Sequence, residues 1–272
     1  MRVAQALAMA RAQGVDRLDA QLLLAHRLQR PRSWLIAHDD EELDAEAEGR
    51  FAADLARRAE GVPLAYLVGE REFRGLSLAV TPAVLVPRPD TETLVEWALE
   101  CLAGRSRPRV LDLGTGSGAI AIGIARARLD AVISATDVDP EAVAVARANA
   151  ARHGASIEFL RGSWWEPVAG RRFDLVLSNP PYIAESDPHL PALRHEPQRA
   201  LTSGADGLDA LRELVAGAAA HLEAGGQMLV EHGAEQGTAV RALFAASGLR
   251  ALGTRRDLGG RERCTGAALA GP

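Results

Sequence analysis

Three features of the chain predict an α/β fold preceded by a small helical domain. From Arg109 onward, short apolar strand signals alternate with helical patterns, the rhythm of a mostly parallel sheet covered on both faces. Up to about residue 60, apolar residues recur at helical spacing. The tail, about 250 to 269, reads as two further strands around Asp257-Leu258-Gly259-Gly260, which suits a closing antiparallel pair.

In the first region Val3, Leu7 and Ala10 keep helical spacing until Gly14 breaks the run. Asp16 is placed to cap a second helix carrying Leu18, Leu22, Leu23, Ala25 and Leu28, which Pro31 ends. A third helix is expected over about 44–58. Leu64–Val68, Arg71–Phe73 and Leu76–Val80 read as short strands broken by Gly69 and Gly75. The predicted organisation is therefore a helical domain over 1–62, a β-hairpin linker over 63–86 and an α/β domain over 87–272. Pro82, Pro87 and Pro89 mark an extended segment, and Asp90 is expected to cap a helix over Thr91–Leu102. Strands are then expected at Val110–Leu113, Val132–Thr136, Ile157–Leu160, Leu175–Ser178 and Met228–Glu231. Helices are expected at Ala119–Ala127, Pro140–His153, Leu208–Leu222 and Glu235–Ala246.

Composition narrows the function classes. Of 272 residues 47% are hydrophobic and 25% charged, as in ordinary globular proteins, and the net charge is −5. That balance argues against a chain living on nucleic acid, which needs a basic face. Two cysteines without a CxxC pattern exclude a disulfide scaffold. No apolar run is long enough to span a bilayer, and residues 1–10 lack a signal-type apolar core. A cytoplasmic protein without a resident metal is expected.

Two segments carry chemistry. Val110-Leu111-Asp112-Leu113 leads into Gly114-Thr115-Gly116-Ser117-Gly118 and then a helix. Glycines let a ligand approach the backbone, and a helix N-terminus offers free N–H groups. The spacing is G-x-G-x-G, not the dinucleotide G-x-G-x-x-G. Asp112 would repel a diphosphate but suits a cationic amine, such as the amino-acid end of S-adenosylmethionine. Asp137 closes the next strand, about 20 residues on, where a carboxylate can accept from both ribose hydroxyls. Asp139 before Pro140 reads as a helix cap. Trp164, in Ser163-Trp164-Trp165, offers an aromatic surface at the same edge for an adenine.

The second segment is Ser178-Asn179-Pro180-Pro181-Tyr182, after the apolar run Phe173–Leu177. Two prolines cannot continue a sheet ladder, so the strand ends there. Asn179 through its side-chain oxygen and Pro180 through its carbonyl can accept both hydrogens of a planar NH2 group, on which Tyr182 can stack. Delocalisation makes such a nitrogen a poor nucleophile. Two acceptors favour its pyramidalisation and aim its lone pair at a methyl donor. No metal or strong base is required, and catalysis is mainly positioning.

On these residues the chain resembles the protein-(glutamine-N5) methyltransferases that modify peptide chain release factors. The resemblance extends over Pro63–Leu67 with Gly69, Arg71-Glu72-Phe73, Pro87-Arg88-Pro89-Asp90-Thr91-Glu92, Asp187–Leu190, Glu196-Pro197, Ala200-Leu201, Gly204 with Asp206-Gly207-Leu208, and Glu231-His232-Gly233. It implies a Rossmann-like, seven-stranded class I methyltransferase domain with strand order 3-2-1-4-5-7-6, and a helical N-terminal domain that helps grip the release factor. It implies S-adenosylmethionine as methyl donor, held by Asp112, Gly114–Gly118, Asp137, Trp164 and Asn179. The substrate is then the glutamine of a Gly-Gly-Gln loop, held by Asn179, Pro180, Pro181 and Tyr182, with Arg88 and Glu92 nearby. Relatives often carry an acidic residue where this chain has Ser163. A monomer without stable nucleic-acid binding is expected. The alternative for the same pocket is adenine-N6 methylation of DNA or RNA, because the Asn-Pro-Pro-Tyr motif is shared.

Overall fold

The computed structural model describes residues 1–271. They form two compact units, residues 1–70 and 71–271.

The first unit is helical: α1 (Val3–Ala12), α2 (Arg17–Leu28), α3 (Arg32–Ala37), α4 (Ala45–Ala59) and α5 (Leu64–Val68). Asp16 caps α2 as expected, accepting from the Leu18 N–H at 2.7 Å. Asp44 caps α4 through the Ala47 N–H at 2.7 Å. Pro31 ends α2 but also opens α3, which periodicity alone did not separate. A proline at a helix start loses nothing, since the first N–H groups have no partner there. Leu23, Leu24, Leu35, Phe51 and Leu55 fill the core. Arg27 forks onto the buried Asp54 with bonds of 2.5 and 2.9 Å, so that charge is paired in bidentate fashion.

Leu64–Val68 is a helix, not the expected strand. The run is apolar all round, so its period carries no information. Pro63 starts it, and Gly69, at φ +83°, stops it in the left-handed conformation. Its side chains pack into the first unit's core, which moves the boundary from 62/63 to Glu70/Arg71.

The hairpin itself is shorter, β1 (Glu70–Phe73) and β2 (Leu76–Ala79), turned by Arg74 and Gly75 at positive φ. After an extended segment, a single 3-10 turn over Pro89–Thr91 runs into α6 (Glu92–Cys101). Asp90 does not cap α6; it pairs instead with Arg263 at 3.2 Å.

The remaining elements are β3 (Arg109–Leu113), α7 (Ala119–Ala127), β4 (Val132–Asp137), α8 (Pro140–Arg152), β5 (Ile157–Arg161), β6 (Phe173–Ser178), α9 (Asp209–His221), β7 (Leu222–Glu231), α10 (Gly237–Ala246), β8 (Arg250–Arg256) and β9 (Glu262–Ala268). The sheet has seven strands in the order β5-β4-β3-β6-β7-β9-β8. Only β9 runs antiparallel, to β7 and β8. Counted within the sheet this is the 3-2-1-4-5-7-6 order. One face packs Leu94, Ile120, Ile122 and Val143 from α6, α7 and α8. The other packs Leu211, Leu214, Val240 and Phe244 from α9 and α10. Central strands buried on both faces explain their continuous apolar runs. The parallel register brings the ends of β3, β4, β6 and β7 to one edge, where open α/β sheets bind ligands. Among the described residues no helix is long and apolar enough to cross a membrane.

Candidate active site

The glycine turn leaves β3 at that edge. The Gly114 and Thr115 N–H groups both donate to Thr136 O at 2.9 Å, tying the turn to β4. Gly114 stands at φ +73°, and a Cβ there would meet the Trp164 ring at 3.2 Å. The missing side chain thus lets the indole close over the turn. Gly118 (φ +84°) packs on Ile122 and Ala146; it serves the α7–α8 contact and lies outside the cavity wall.

A cavity opens over the turn. Its wall includes Gly114, Thr115, Gly116, Ser117, Asp137 and Trp164, with Ile120, Val138 and Ala142 supplying apolar surface. Asp137 is held by two backbone donors, Gly116 N–H at 2.9 Å and Asp139 N–H at 3.0 Å. Burial pushes its carboxyl above the usual range, and these N–H groups oppose the shift. Each oxygen keeps a further lone pair toward a ligand. Asp139 caps α8 through the Glu141 N–H at 2.9 Å, the structural part expected of it. Trp164 takes φ +38°, rare for a bulky residue, and lines the cavity. Trp165 turns away and stacks on His221 at 4.5 Å.

Asp112 is fully buried and is not in the cavity wall. Its Oδ2 accepts from the Thr115 hydroxyl at 2.6 Å, while Oδ1 has no hydrogen bond. Burial pushes it up to about 7, against the pull of Thr115. It therefore supports the turn from behind.

Asn179 follows β6. The Ser178 hydroxyl anchors the strand end on Leu113 O at 2.7 Å. Asn179 Nδ2 donates to Thr91 Oγ1 at 3.1 Å, which leaves Oδ1 as the free end of the amide. Asn179 lines both the cofactor-side cavity and a second one formed with Leu85, Arg88, Tyr182, Ile183 and Leu193. Arg88 also lines both. Pro181 belongs to the first wall and Tyr182 to the second, whereas Pro180 is buried and lines neither. The Tyr182 hydroxyl donates to Glu231 Oε1 at 3.2 Å, and burial beside that carboxyl raises the phenol.

Glu92, expected near the substrate, faces elsewhere. Its Oε1 accepts from the Arg74 N–H at 3.1 Å in the hairpin turn, and it lines neither cavity. Three residues with structural parts at the site drew no role from sequence. Thr91 holds the Asn179 amide. Glu196 accepts from the Val86 N–H at 3.1 Å and from Arg88 at 2.5 Å, fastening the proline-rich segment. Asn149 bridges β2 to the glycine turn, with bonds to both backbone groups of Ala79 and to Ser117 O. Thr91 and Glu196 stood inside segments that carried the resemblance; Asn149 had no such signal.

Comparison with known proteins shows the family. The PrmC N-terminal domain family matches residues 2–69, and the Methyltransferase small domain family matches residues 91–245. A release factor glutamine methyltransferase of Xylella fastidiosa strain Temecula1 is 51% identical over 263 residues, covering 96% of each chain. One from Bordetella pertussis is 50% identical over 259 residues, covering 94% of this chain and 96% of the relative. The chain belongs to the release factor glutamine methyltransferase family. Among solved structures, a methyltransferase from Pyrococcus furiosus aligns with a TM-score of 0.57 at 19% identity, over 80% of this chain and 99% of that one. A Thermus thermophilus 16S rRNA N2 G1207 methyltransferase, solved with AdoMet and guanosine, aligns at 0.55 and 20% identity, over 74% of this chain and 49% of that one. These two share the fold, the seven-stranded α/β sheet of class I methyltransferases.

Proposed function

We propose that this chain transfers a methyl group from S-adenosylmethionine to the side-chain amide nitrogen of the glutamine in the Gly-Gly-Gln loop of peptide chain release factors. The observation that carries this reading is Asn179. It stands in the walls of two adjoining cavities with its NH2 engaged by Thr91, so its oxygen is the group left for a substrate NH2.

The first cavity suits the methyl donor. Asp137 offers acceptors for ribose hydroxyls, Gly114 and Gly116 give backbone access, and Trp164, Val138 and Ile120 give a face for a base. When bound, S-adenosylmethionine supplies a methyl on a sulfonium, already a good leaving group. The protein's own part is positioning. Asn179 Oδ1 accepts one amide hydrogen of the glutamine. The Pro180 carbonyl, expected from sequence to accept the other, belongs to a buried residue outside both walls, so Asn179 carries the contact. Tyr182 and Pro181 flank the amide plane, and Arg88, held by Glu196, faces the incoming loop. The enzyme is proposed to act in the cytoplasm, as a monomer, without stable nucleic-acid binding.

The test is methyl incorporation from labelled S-adenosylmethionine into release factor, DNA and rRNA, with mass spectrometry of the tryptic peptide. A single methyl on the Gly-Gly-Gln glutamine is expected. Incorporation only into nucleic acid overturns the reading. Asn179→Ala is expected to bind S-adenosylmethionine normally in calorimetry and to lose on the order of 100-fold in turnover, the scale of a misplaced reactant.

A further inference from the structure

Pro180 and Pro181 have no N–H to fasten the turn that carries Asn179 and Tyr182, so other groups must hold it. At its start the Ser178 hydroxyl donates to Leu113 O at 2.7 Å. At its end the holder is Gln236, between β7 and α10. Gln236 Nε2 donates to Tyr182 O at 2.9 Å and lies 3.4 Å from both Asp206 O and Gly207 O. Its Oε1 accepts from the Gly233 N–H at 2.8 Å. Gln236 stands at the N-cap of α10, yet its side chain makes no bond to that helix.

Two glycines make room for this clamp. Gly207 sits at φ +74°, and a Cβ there would run into Tyr182 O and come within 2.9 Å of Gln236 Nε2. A Cβ on Gly233 would stand 3.0 Å from Gln236 Oε1. The amide can face only one way. Its NH2 donates to carbonyl oxygens, and its oxygen accepts from an N–H. Reversed, it would set oxygen against three carbonyls and NH2 against the Gly233 N–H. Ile183 continues the hold: its N–H donates to Leu201 O at 2.8 Å, and its carbonyl accepts from the Ser203 N–H at 2.9 Å. Tyr182 and Ile183 line the substrate-side cavity with Asn179, so the clamp holds part of that wall.

We propose that Gln236 is a positioning residue for methyl transfer: by donating to the Tyr182 carbonyl it fixes the exit of the Asn-Pro-Pro-Tyr turn, and with it the Tyr182 ring, in the substrate-side wall. The proposal rests on the reading that Asn179 and Tyr182 hold the glutamine amide. Gln236 lines neither cavity and acts through Tyr182. A carboxylate at 236 accepts from the Gly233 N–H but donates to nothing, so it opposes Tyr182 O. A carboxylic acid has one O–H donor and one acceptor oxygen, and restores both bonds. Carbonyl oxygens facing it favour that protonated form. The charged groups around position 236 are Glu235 beside it, Asp206 paired with Arg212, and Arg241 paired with Glu262 at 3.1 Å. His232 Nδ1 bonds Gly233 O at 2.8 Å, and Glu231 and Arg263 lie beyond the Tyr182 hydroxyl. All of these are present in wild type and variant alike, so a ratio of rates cancels their titration.

The test compares Gln236→Glu, Gln236→Leu and Asn179→Ala with wild type, as methyl transfer to release factor between about pH 5 and 8, well below each variant's Tm. At about pH 8, Gln236→Glu is expected to lower kcat roughly tenfold, with the S-adenosylmethionine Kd within about twofold of wild type. The wild-type to Gln236→Glu kcat ratio should fall toward one as pH drops and the new side chain takes up a proton. Gln236→Leu has nothing to titrate and should stay roughly tenfold low at every pH. A side chain that merely filled space at 236 would give a ratio that does not move. A pH-independent ratio for Gln236→Glu, or a wild-type kcat in Gln236→Leu, overturns the role of Gln236; with Asn179→Ala still crippled, it leaves the assigned function standing. Wild-type turnover in Asn179→Ala removes the reading on which both depend.

Discussion

Replacing Asn149 by alanine tests how the cofactor turn is held. Asn149, on α8, is fully buried. Its Oδ1 accepts from the Ala79 N–H at 2.7 Å, and its Nδ2 donates to Ala79 O and to Ser117 O, both at 2.9 Å. The substitution strands one backbone donor and two acceptors. Each buried group left unpaired costs ~1–3 kcal/mol. Water entering the space left by the side chain relieves part of this, so a net loss of ~3–5 kcal/mol is expected. That is a large share of the ~5–15 kcal/mol available to a typical domain, but it leaves the protein folded. For a domain of this size each kcal/mol lowers Tm by ~2–4 °C, which gives a drop of roughly 6–20 °C. Calorimetric melting reads the loss, followed through the second unit's transition because two units need not unfold together. Freed from Asn149, Ser117 no longer anchors the turn, so S-adenosylmethionine affinity should fall in the same variant, measured by titration below its Tm. A Tm within about 3 °C of wild type with unchanged affinity would refute the argument that these three bonds are structural supports.

Two further outcomes follow from the buried carboxyls. Glu231 and Asp112 are both pushed up to about 7 in the fold, from ordinary values of 4.5 and 3.8. As pH rises from about 4 toward 7 the unfolded chain gives up these protons first, so their contribution to stability is greatest at low pH and declines until about pH 7. Urea midpoints from pH 5 to 8 should therefore show Glu231→Gln gaining on wild type by on the order of 2–3 kcal/mol as pH rises; a constant difference counts against a raised Glu231. Glu196→Ala releases the Val86 N–H and the Arg88 guanidinium together. The release-factor KM is expected to rise about tenfold, with a smaller rise in Glu196→Gln, which keeps one acceptor; an unchanged KM in Glu196→Ala removes Arg88 from substrate contact.

Much of the α/β unit was legible before folding was considered. Gly114 to Gly118, Asp137 and the Asn179-Pro180-Pro181-Tyr182 turn announce themselves because each has a local cause: a positive φ, a strand end, a ladder that proline cannot continue. Leu64–Val68 was misread because a run that is apolar on every side has no period, and its neighbours Pro63 and Gly69 suit a short helix as well as a turn. Asp90 was read as a helix cap because aspartate before a helical run usually is one; its true partner, Arg263, lies far along the chain. Glu92 was drawn into the site by its place in a signature segment, yet its side chain faces the Arg74 turn.

The sequence by itself determined the alternation of strands and helices from Arg109 onward and the point where Pro180 and Pro181 end a strand, since those depend on short-range periodicity and on the chemistry of single residues. Which groups stand behind the site was decided only in three dimensions. Thr91 reaches Asn179, Glu231 reaches Tyr182, and Asn149 reaches Ala79 and Ser117. These partners are distant in the chain and meet because parallel strands end at one edge and a helix packs across them. A buried hydrogen-bond donor must find its acceptor wherever the packing brings one, and no local pattern in the sequence records that meeting.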